Sequence, residues 1–149
     1  MSDQGIPEYA RVVVIGGGII GCSVAYHLAD EGCDVVLLER DQLTSGTTWH
    51  AAGLMTTYGS GSETTLEIRK HSMELYKRLE AETGQQTGFN PCGFIEVAAD
   101  DDRLEEYRRI TAFNRLHGND IQELSPAEVV ELFPFADASH IRAGFYAEH

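Results

Sequence analysis

Residues 11–21 read Arg-Val-Val-Val-Ile-Gly-Gly-Gly-Ile-Ile-Gly, and this stretch decides the fold. Its β-branched first half, bounded by glycines, predicts a strand that is buried on both faces. Apolar residues then recur at helical spacing over 19–29, and Gly32 follows as a helix stop. A second buried strand is predicted over 34–38. Strand, helix and strand make one βαβ unit, whose crossover is expected to be right-handed.

The glycines of this stretch fit the G-x-G-x-x-G pattern of dinucleotide-binding proteins. Gly16 permits the tight turn after the strand, Gly18 lets the backbone approach a pyrophosphate, and Gly21 lets the helix pack closely on the strand. Ile19 and Ile20 begin the helix, where free N–H groups and the positive end of the helix dipole face the phosphates. The pattern alone would also fit a glycine-rich turn in another α/β fold.

An acidic residue follows at the end of the second predicted strand. Glu39 is expected to accept hydrogen bonds from the ribose hydroxyls of an adenosine and to repel a 2′-phosphate. The next residue, Arg40, is a candidate for contacting adenine or phosphate, although an exposed arginine fits equally well. These features predict a dinucleotide without distinguishing NAD from FAD, so an NAD-dependent dehydrogenase stays as an alternative.

Residues 43–54 read Leu-Thr-Ser-Gly-Thr-Thr-Trp-His-Ala-Ala-Gly-Leu, and we call them the attachment segment. Hydroxyl donors and glycines in such a loop can cradle the pyrophosphate and ribityl chain of an extended FAD. Trp49 can pack near a flavin ring or in a core, and the neutral imidazole of His50 can add to the 8α-methyl carbon of a flavin. An NAD-dependent enzyme would leave this segment unexplained. The candidate cofactor-binding residues of the segment are Ser45, Gly46, Thr47, Thr48, Trp49, His50, Ala52 and Gly53.

The attachment segment resembles the flavin-attachment stretch of the dimethylglycine dehydrogenase and sarcosine dehydrogenase family, among the D-amino-acid-oxidase-like FAD-dependent oxidoreductases. The resemblance runs from about Tyr9 to the last residue. It implies covalent attachment of FAD through His50, with a bound but unlinked FAD as the alternative. It also implies an α/β fold, in which a Rossmann-like FAD-binding domain of the GR2 type carries an inserted antiparallel substrate-binding sheet.

The same resemblance implies an activity. This is the FAD-dependent demethylation of a small N-methyl amine such as dimethylglycine or sarcosine, with hydride transfer to flavin N5. An electron-transfer flavoprotein, a quinone or oxygen would accept the electrons, and tetrahydrofolate in a C-terminal domain could take the one-carbon unit. Catalytic residues stay unassigned, and Tyr58 and Tyr146 are only candidate pocket residues. Another flavin amine oxidase of the superfamily and a non-catalytic truncated fragment are the alternatives.

The rest of the chain predicts further helices and strands. A loop is predicted over 41–62, followed by a helix over 63–82 with an apolar stripe of Ile68, Leu75 and Leu79. A strand over 93–98 and a helix that Asp100 caps come next. The last predicted elements are a short helix with a capping box of Ser125 and Glu128 and a strand over 141–146. We expect residues 1–60 to form the βαβ unit and flavin loop, and residues 61–149 to begin the helical and substrate-binding segments. Because a Rossmann sheet needs more than two strands, the chain is expected to be the N-terminal part of a longer protein.

Charge and composition narrow the class of protein. The chain has 24 acidic and 11 basic residues and a formal net charge of −13, which would repel nucleic acid. No apolar run is long enough to span a bilayer, and no basic segment precedes an apolar one at the N-terminus. The three scattered cysteines and the histidines without ligand spacing predict neither a disulfide framework nor a metal site, and they favour a reduced, cytoplasmic location.

Overall fold

The structure, a computed structural model, describes residues 7–148, so the start of the N-terminal sequence considered above for a targeting signal lies outside the described part. The chain divides into two compact units. The first unit ends at Leu54, and the second unit begins at Met55. Each unit is described by itself below.

The first unit is the predicted βαβ unit. Its elements are β1 (Val12–Ile15), α1 (Ile19–Asp30), β2 (Val35–Leu38) and a single 3₁₀ turn (Thr47–His50) inside the attachment segment. β1 and β2 pair in parallel, with Val12 opposite Val35 and Ile15 opposite Leu38. The β-branched runs form the strands and the glycines end them, as the sequence predicts. The 3₁₀ turn is not predicted, because four residues are too few to show a period.

The prediction that the first strand is buried on both faces is wrong. The Val14 side chain lies beneath α1, whereas Val13 and Ile15 on the opposite face are exposed, Ile15 by 85%. The outer side of α1 is open as well, and Ile20 and Val24 are both exposed. The cause is that α1 covers one face of the two-stranded sheet, and nothing in the described part of the first unit covers the other.

The second unit packs helices against an antiparallel sheet. Its elements are α2 (Glu63–Thr83), β3 (Phe94–Ala98), α3 (Asp101–Leu116), β4 (Ile121–Leu124), α4 (Pro126–Leu132), a 3₁₀ turn (Ala138–His140) and β5 (Ala143–Ala147). The strand order is β3-β5-β4, and Phe145 of the central strand stands opposite both Glu96 and Glu123. The sequence predicts every one of these helices and strands except β4.

The helix ends in the second unit follow the predicted capping chemistry. Asp100 accepts a hydrogen bond from the N–H of Arg103 at 2.8 Å. The capping box at α4 is complete, because Ser125 accepts from the N–H of Glu128 and the Glu128 carboxylate accepts from the N–H of Ser125. Gly84 ends α2 in the left-handed region, at φ 71°. Each cap satisfies a backbone group that the helix itself leaves unpaired.

The core of the second unit lies between α3 and one face of the sheet. Ile121 and Phe145 are fully buried there, together with Tyr58, whose pKa is raised to about 12 by burial. Tyr58 is therefore a core residue and not the pocket residue considered from the sequence. The stripe predicted for α2 is only partly correct: Leu75 and Leu79 are half-buried, but Ile68 is exposed. The fully buried residues of the helix are Leu66 and Met73. The amphipathic spacing is helical, but the buried face is rotated relative to the predicted one.

A buried amide network holds the start of the second unit. Asn114 is fully buried, and its amide donates to the carbonyl oxygens of Ser60 at 3.2 Å and Ile110 at 2.8 Å. The amide of Asn119 donates to the Asn114 side-chain oxygen at 3.2 Å. A few residues away, the Arg69 guanidinium donates to the Tyr58 carbonyl at 2.6 Å. The backbone before α2 is thus fixed by side chains from α2 and α3. No helix in the described range is both long and apolar enough to cross a membrane.

Candidate functional site

The glycine loop, residues 16–21, shows why its glycines are needed. Gly16 has φ 104°, a backbone conformation that strains a residue with a side chain. A Cβ atom on Gly21 would overlap the carbonyl oxygen of Gly16. α1 therefore sits directly on the turn that follows β1. Gly16 and Gly21 occupy the structural roles that the sequence predicts for them.

Glu39, at the end of β2, ties the glycine loop to the sheet. Its carboxylate accepts hydrogen bonds from the N–H of Gly17 at 2.6 Å and the N–H of Asp41 at 3.0 Å. These donors, Gly17 first and then Asp41, hold the pKa of Glu39 below its ordinary value of 4.5, so the group is an anion at neutral pH. A carboxylate has about four acceptor positions, so capacity remains for donors such as ribose hydroxyls.

The attachment segment closes over the glycine loop. The N–H of Thr44 donates to the carbonyl of Gly17 at 2.8 Å. The hydroxyl oxygen of Thr48 accepts from the N–H of Ile19 at 2.9 Å, at the first residue of α1. A Cβ on Gly18 would lie 3.1 Å from that hydroxyl oxygen. Gly18 thus makes room for Thr48, a role that the sequence does not predict.

His50 and Trp49 lie in the 3₁₀ turn of the attachment segment. The Nδ1 atom of His50 is 3.2 Å from the carbonyl oxygen of Gly46. Because a carbonyl oxygen can only accept, this bond requires the proton on Nδ1, and a neutral ring then has its lone pair on Nε2. Trp49 is 80% exposed, so it is not a core residue of the first unit.

Most of the predicted site residues gather around one cavity of about 770 Å³ within the first unit. The predicted residues that line it are Gly16, Gly18, Ile19, Ile20, Glu39, Arg40, Ser45, Gly46, Thr47 and Thr48. Gly21 packs α1 on the turn instead, and Trp49, His50, Ala52 and Gly53 do not line the cavity. The sequence reasoning missed five residues that line it too: Ile15, Leu38, Asp41, Thr44 and Ala51. Thr44 has φ 65°, unusual for a β-branched residue, and no sequence signal indicates it.

The cavity fits a dinucleotide. The α1 N-terminus has no local side-chain cap, and no acceptor within the described residues bonds the N–H groups of Gly18 or Ile20. Such free N–H groups at the positive end of a helix favour phosphate oxygens. The anionic Glu39 lies on the same wall and offers acceptors for a ribose. These donors and acceptors suit the diphosphate and ribose that dinucleotides, FAD included, have in common.

In the second unit, Tyr146 lines a separate apolar cavity of about 760 Å³. Its walls include Ile95 and Val97 of β3 and Phe133, which follows α4. The Tyr146 ring lies against the backbone of Gly93, which has φ 81°. This cavity is apolar and open, and nothing in it singles out a reacting group.

Known proteins match both the sequence and the structure. The family model described as FAD dependent oxidoreductase matches residues 11–149. The mitochondrial dimethylglycine dehydrogenase of Rattus norvegicus is 44% identical over 144 residues, which are 94% of this chain and 17% of the relative. The mitochondrial sarcosine dehydrogenase of Homo sapiens is 41% identical over 146 residues, which are 97% of this chain and 16% of the relative. The chain thus spans about a sixth of the length of these curated relatives.

Among solved structures, L-proline dehydrogenase from P. horikoshii superimposes with a TM-score of 0.88 at 28% identity, over 96% of this chain and 37% of that one. The match confirms the expected fold, a Rossmann-like FAD-binding region followed by part of an antiparallel region. The division at residue 60 stays a prediction. The glycine loop, the anionic Glu39 and the long match to the family model lead to one conclusion: the chain belongs to the FAD-dependent oxidoreductase family.

Proposed function

We propose that the protein carrying this chain demethylates a small N-methyl amine, such as dimethylglycine or sarcosine, with FAD that is attached through His50. The observation that carries the proposal is the hydrogen bond between His50 Nδ1 and the Gly46 carbonyl, which leaves Nε2 as the nucleophilic atom. The names of the relatives, dimethylglycine dehydrogenase and sarcosine dehydrogenase, support the substrate class.

The residues of the first unit have separate tasks in binding FAD. The N–H groups at the start of α1 would hold the diphosphate, and the Glu39 carboxylate would hold the adenosine ribose. Ser45, Thr47 and Thr48 would offer hydroxyl groups to the diphosphate and ribityl chain, because all three line the cavity. Bound FAD supplies the acceptor for a hydride from the N-methyl carbon, and the chain positions it.

Attachment would join the Nε2 atom of His50 to the 8α carbon that bound FAD supplies. The 8α C–H proton and the imidazole Nδ1 proton would be released in exchange for the new bond. The two electrons of this oxidation would pass through the flavin to dioxygen, which would leave as hydrogen peroxide. The Gly46 carbonyl directs this reaction, since it holds the proton on the nitrogen that does not react.

The other parts of the reaction involve partners outside this chain. We propose an electron-transfer flavoprotein, a quinone or oxygen as the electron acceptor, and tetrahydrofolate or water as the acceptor of the one-carbon unit. We assign no residue of this chain to proton transfer from the amine. A cytoplasmic location stays a prediction, and the two relatives compared above are named as mitochondrial.

The test is whether the flavin stays on the denatured polypeptide. The full gene product is precipitated in acid, washed and examined for flavin fluorescence, alongside His50→Ala and the control His140→Ala. His140 is a matched control because its side chain is 85% exposed and lies in the second unit. We expect fluorescence with the wild-type protein and with the control, and none with His50→Ala.

Flavin that stays bound to the His50→Ala polypeptide would show that another residue forms the link. A wild-type protein that is yellow before precipitation and colourless after it would show a non-covalent FAD. The substrate class is tested separately, by flavin bleaching when dimethylglycine, sarcosine or an unmethylated amine such as glycine is added without oxygen. Bleaching by glycine alone would contradict the proposed N-methyl specificity.

A further inference from the structure

A hydrogen bond joins the attachment segment to α1. The N–H of Ile19 donates to the Thr48 hydroxyl oxygen at 2.9 Å, across 29 residues of sequence. Ile19 is the first residue of α1, and Thr48 is inside the 3₁₀ turn that ends at His50. Thr48 therefore shares a turn with His50, the proposed reacting residue, and contacts the first residue of α1.

A hydroxyl group can serve both sides of such a contact. It has one proton to donate and two lone pairs to accept with. The Thr48 oxygen uses one lone pair for the Ile19 N–H, so its own proton stays available to a group in the cavity that Thr48 lines. Thr48 thus accepts from the N–H of a helix and keeps an O–H donor of its own on the attachment segment.

The residues around Thr48 leave room for its hydroxyl and hold its turn in shape. Gly18 has the smallest possible side chain where Thr48 approaches, and a Cβ there would lie 3.1 Å from the hydroxyl oxygen. The N–H of Trp49 and the Nδ1 of His50 both reach the carbonyl of Gly46, which keeps the turn closed. The orientation of the His50 ring is therefore set by a turn whose anchor to α1 is the Thr48 hydroxyl.

We propose that Thr48 is a positioning residue for flavin attachment: its hydroxyl fastens the His50 turn to the N-terminus of α1 and thereby holds the imidazole in place for the reaction with FAD. This inference rests on the proposed function, because it requires attachment through His50. Beyond that function, the rate of flavin attachment would depend on a hydroxyl that does not itself react.

The experiment measures attachment at saturating FAD, so that a weaker affinity cannot explain a slower rate. The full gene product is prepared without flavin, FAD is added in excess, and covalent fluorescence in a denaturing gel is followed over time. The variants are Thr48→Val, which keeps the shape and removes the hydroxyl, and Thr48→Ser, which keeps the hydroxyl. Thr87→Val is the matched control, because the Thr87 hydroxyl also accepts from a backbone N–H, that of Phe89, in the second unit.

We expect Thr48→Val to attach flavin about three- to tenfold more slowly, the range that one net hydrogen bond gives. Thr48→Ser should attach at a rate near that of the wild type, and Thr87→Val should be unchanged. Melting temperatures and far-UV circular dichroism of each variant show whether it is folded. If Thr48→Val does not fold, Thr48→Ala and Thr48→Ser replace it as the compared pair.

Two outcomes would overturn the inference alone. One is an unchanged rate in Thr48→Val, and the other is a rate in Thr48→Ser as slow as that of Thr48→Val, which would exclude the hydroxyl as the cause. If the wild-type protein carries no covalent flavin through His50, the attachment proposed above has failed, and the role of Thr48 fails with it. The wild-type lane therefore separates the two failures.

Discussion

The two units of the chain are held together in different ways. In the second unit, Leu66, Ile121 and Phe145 are fully buried, and α3 covers one face of the sheet while α4 packs against the other. In the first unit, α1 has no fully buried residue, and Ile15 at the end of β1 is exposed. What fixes the shape of the first unit at its cavity is a set of polar contacts to the glycine loop, from Glu39 and from the attachment segment.

Within this chain, apolar burial and ligand-binding groups are distributed unequally. Burial of apolar surface is the dominant favourable term in folding, and most of the apolar burial within the chain lies in the second unit. The first unit has two strands of a sheet that needs more, and it presents open N–H groups and an anionic carboxylate to its cavity. We therefore expect the second unit to respond to core substitutions and the first unit to respond to its ligand.

The largest expected effect is in the core of the second unit. Phe145→Ala removes a fully buried ring from the central strand and should lower the free energy of unfolding by about 3–5 kcal/mol. Ile20→Ala in the first unit should change it by less than about 0.5 kcal/mol, because Ile20 is exposed. Urea denaturation followed by circular dichroism measures both. Equal effects from the two substitutions would contradict the comparison of the units.

The next effect should come from the cofactor. In His50→Ala, which cannot form the proposed link, FAD at about a hundred times its dissociation constant should stabilise the unit that binds it by about 2.7 kcal/mol. Hydrogen exchange of backbone amides locates the effect, and we expect added protection in α1 and β2, with little change in β3 or β5. Protection that rises equally throughout the second unit would show that the two units do not respond separately.

A smaller effect is expected from the buried amide of the second unit. Asn114→Ala leaves the carbonyl of Ser60 without its donor and should cost about 1–3 kcal/mol in unfolding free energy. Asn90→Ala is the control, because Asn90 is exposed. Thermal unfolding of both variants measures the difference. An Asn114→Ala protein as stable as the control would mean that water replaces the lost amide at no cost.

The smallest expected effect is a change in pH dependence in the first unit. The N–H groups of Gly17 and Asp41 lower the pKa of Glu39. The contribution of the ionised carboxylate to folding stability is therefore fully present above pH 4.5, the ordinary pKa, and is lost as the pH falls through the lowered pKa of the folded protein. A protonated carboxyl accepts fewer hydrogen bonds from ribose hydroxyls, so the affinity of His50→Ala for FAD should weaken on acidification below pH 4.5. Glu39→Gln should flatten that part of the titration, because an amide does not ionise there. A variant with the same acid profile as the wild type would assign the loss to another group.

The sequence predicts the first unit well because its constraints are local. The glycine pattern, the strand before it and Glu39 after it lie within 29 residues, and each has a backbone reason that can be deduced from residue type alone. The capping box of Ser125 and Glu128 is predictable for the same reason. What the sequence could not show is exposure, since a β-branched run looks the same whether one or both faces are covered.

The strand β4 shows a different limit. Its four residues begin with Ile121 and end with Leu124, both buried, with two exposed polar residues between them. In a strand, positions three apart face opposite sides of the sheet, so each apolar end packs against a different layer. Ile121 stands opposite Ala147 in the core, and Leu124 stands opposite Gly144 beside α4. Apolar residues three positions apart are also typical of a helix, so only the pairing with β5 shows that this segment is a strand.

The contact between Thr48 and Ile19 could not be predicted either. It joins a segment without periodicity to a helix start, and the positive φ of Thr44 that helps to shape the segment has no sequence signal. Such contacts depend on how a loop closes, which single-residue preferences do not determine.

Glu39 has one consequence for protein engineering. The same carboxylate that would select an unmodified ribose also bonds the N–H of Gly17, so nucleotide preference and loop shape depend on a single side chain. Replacing it with a cationic or small residue, the usual way to make a nucleotide-binding site accept a phosphorylated ribose, would release the glycine loop at the same time. A redesign of this chain therefore has to provide a second acceptor for Gly17 before it changes the nucleotide.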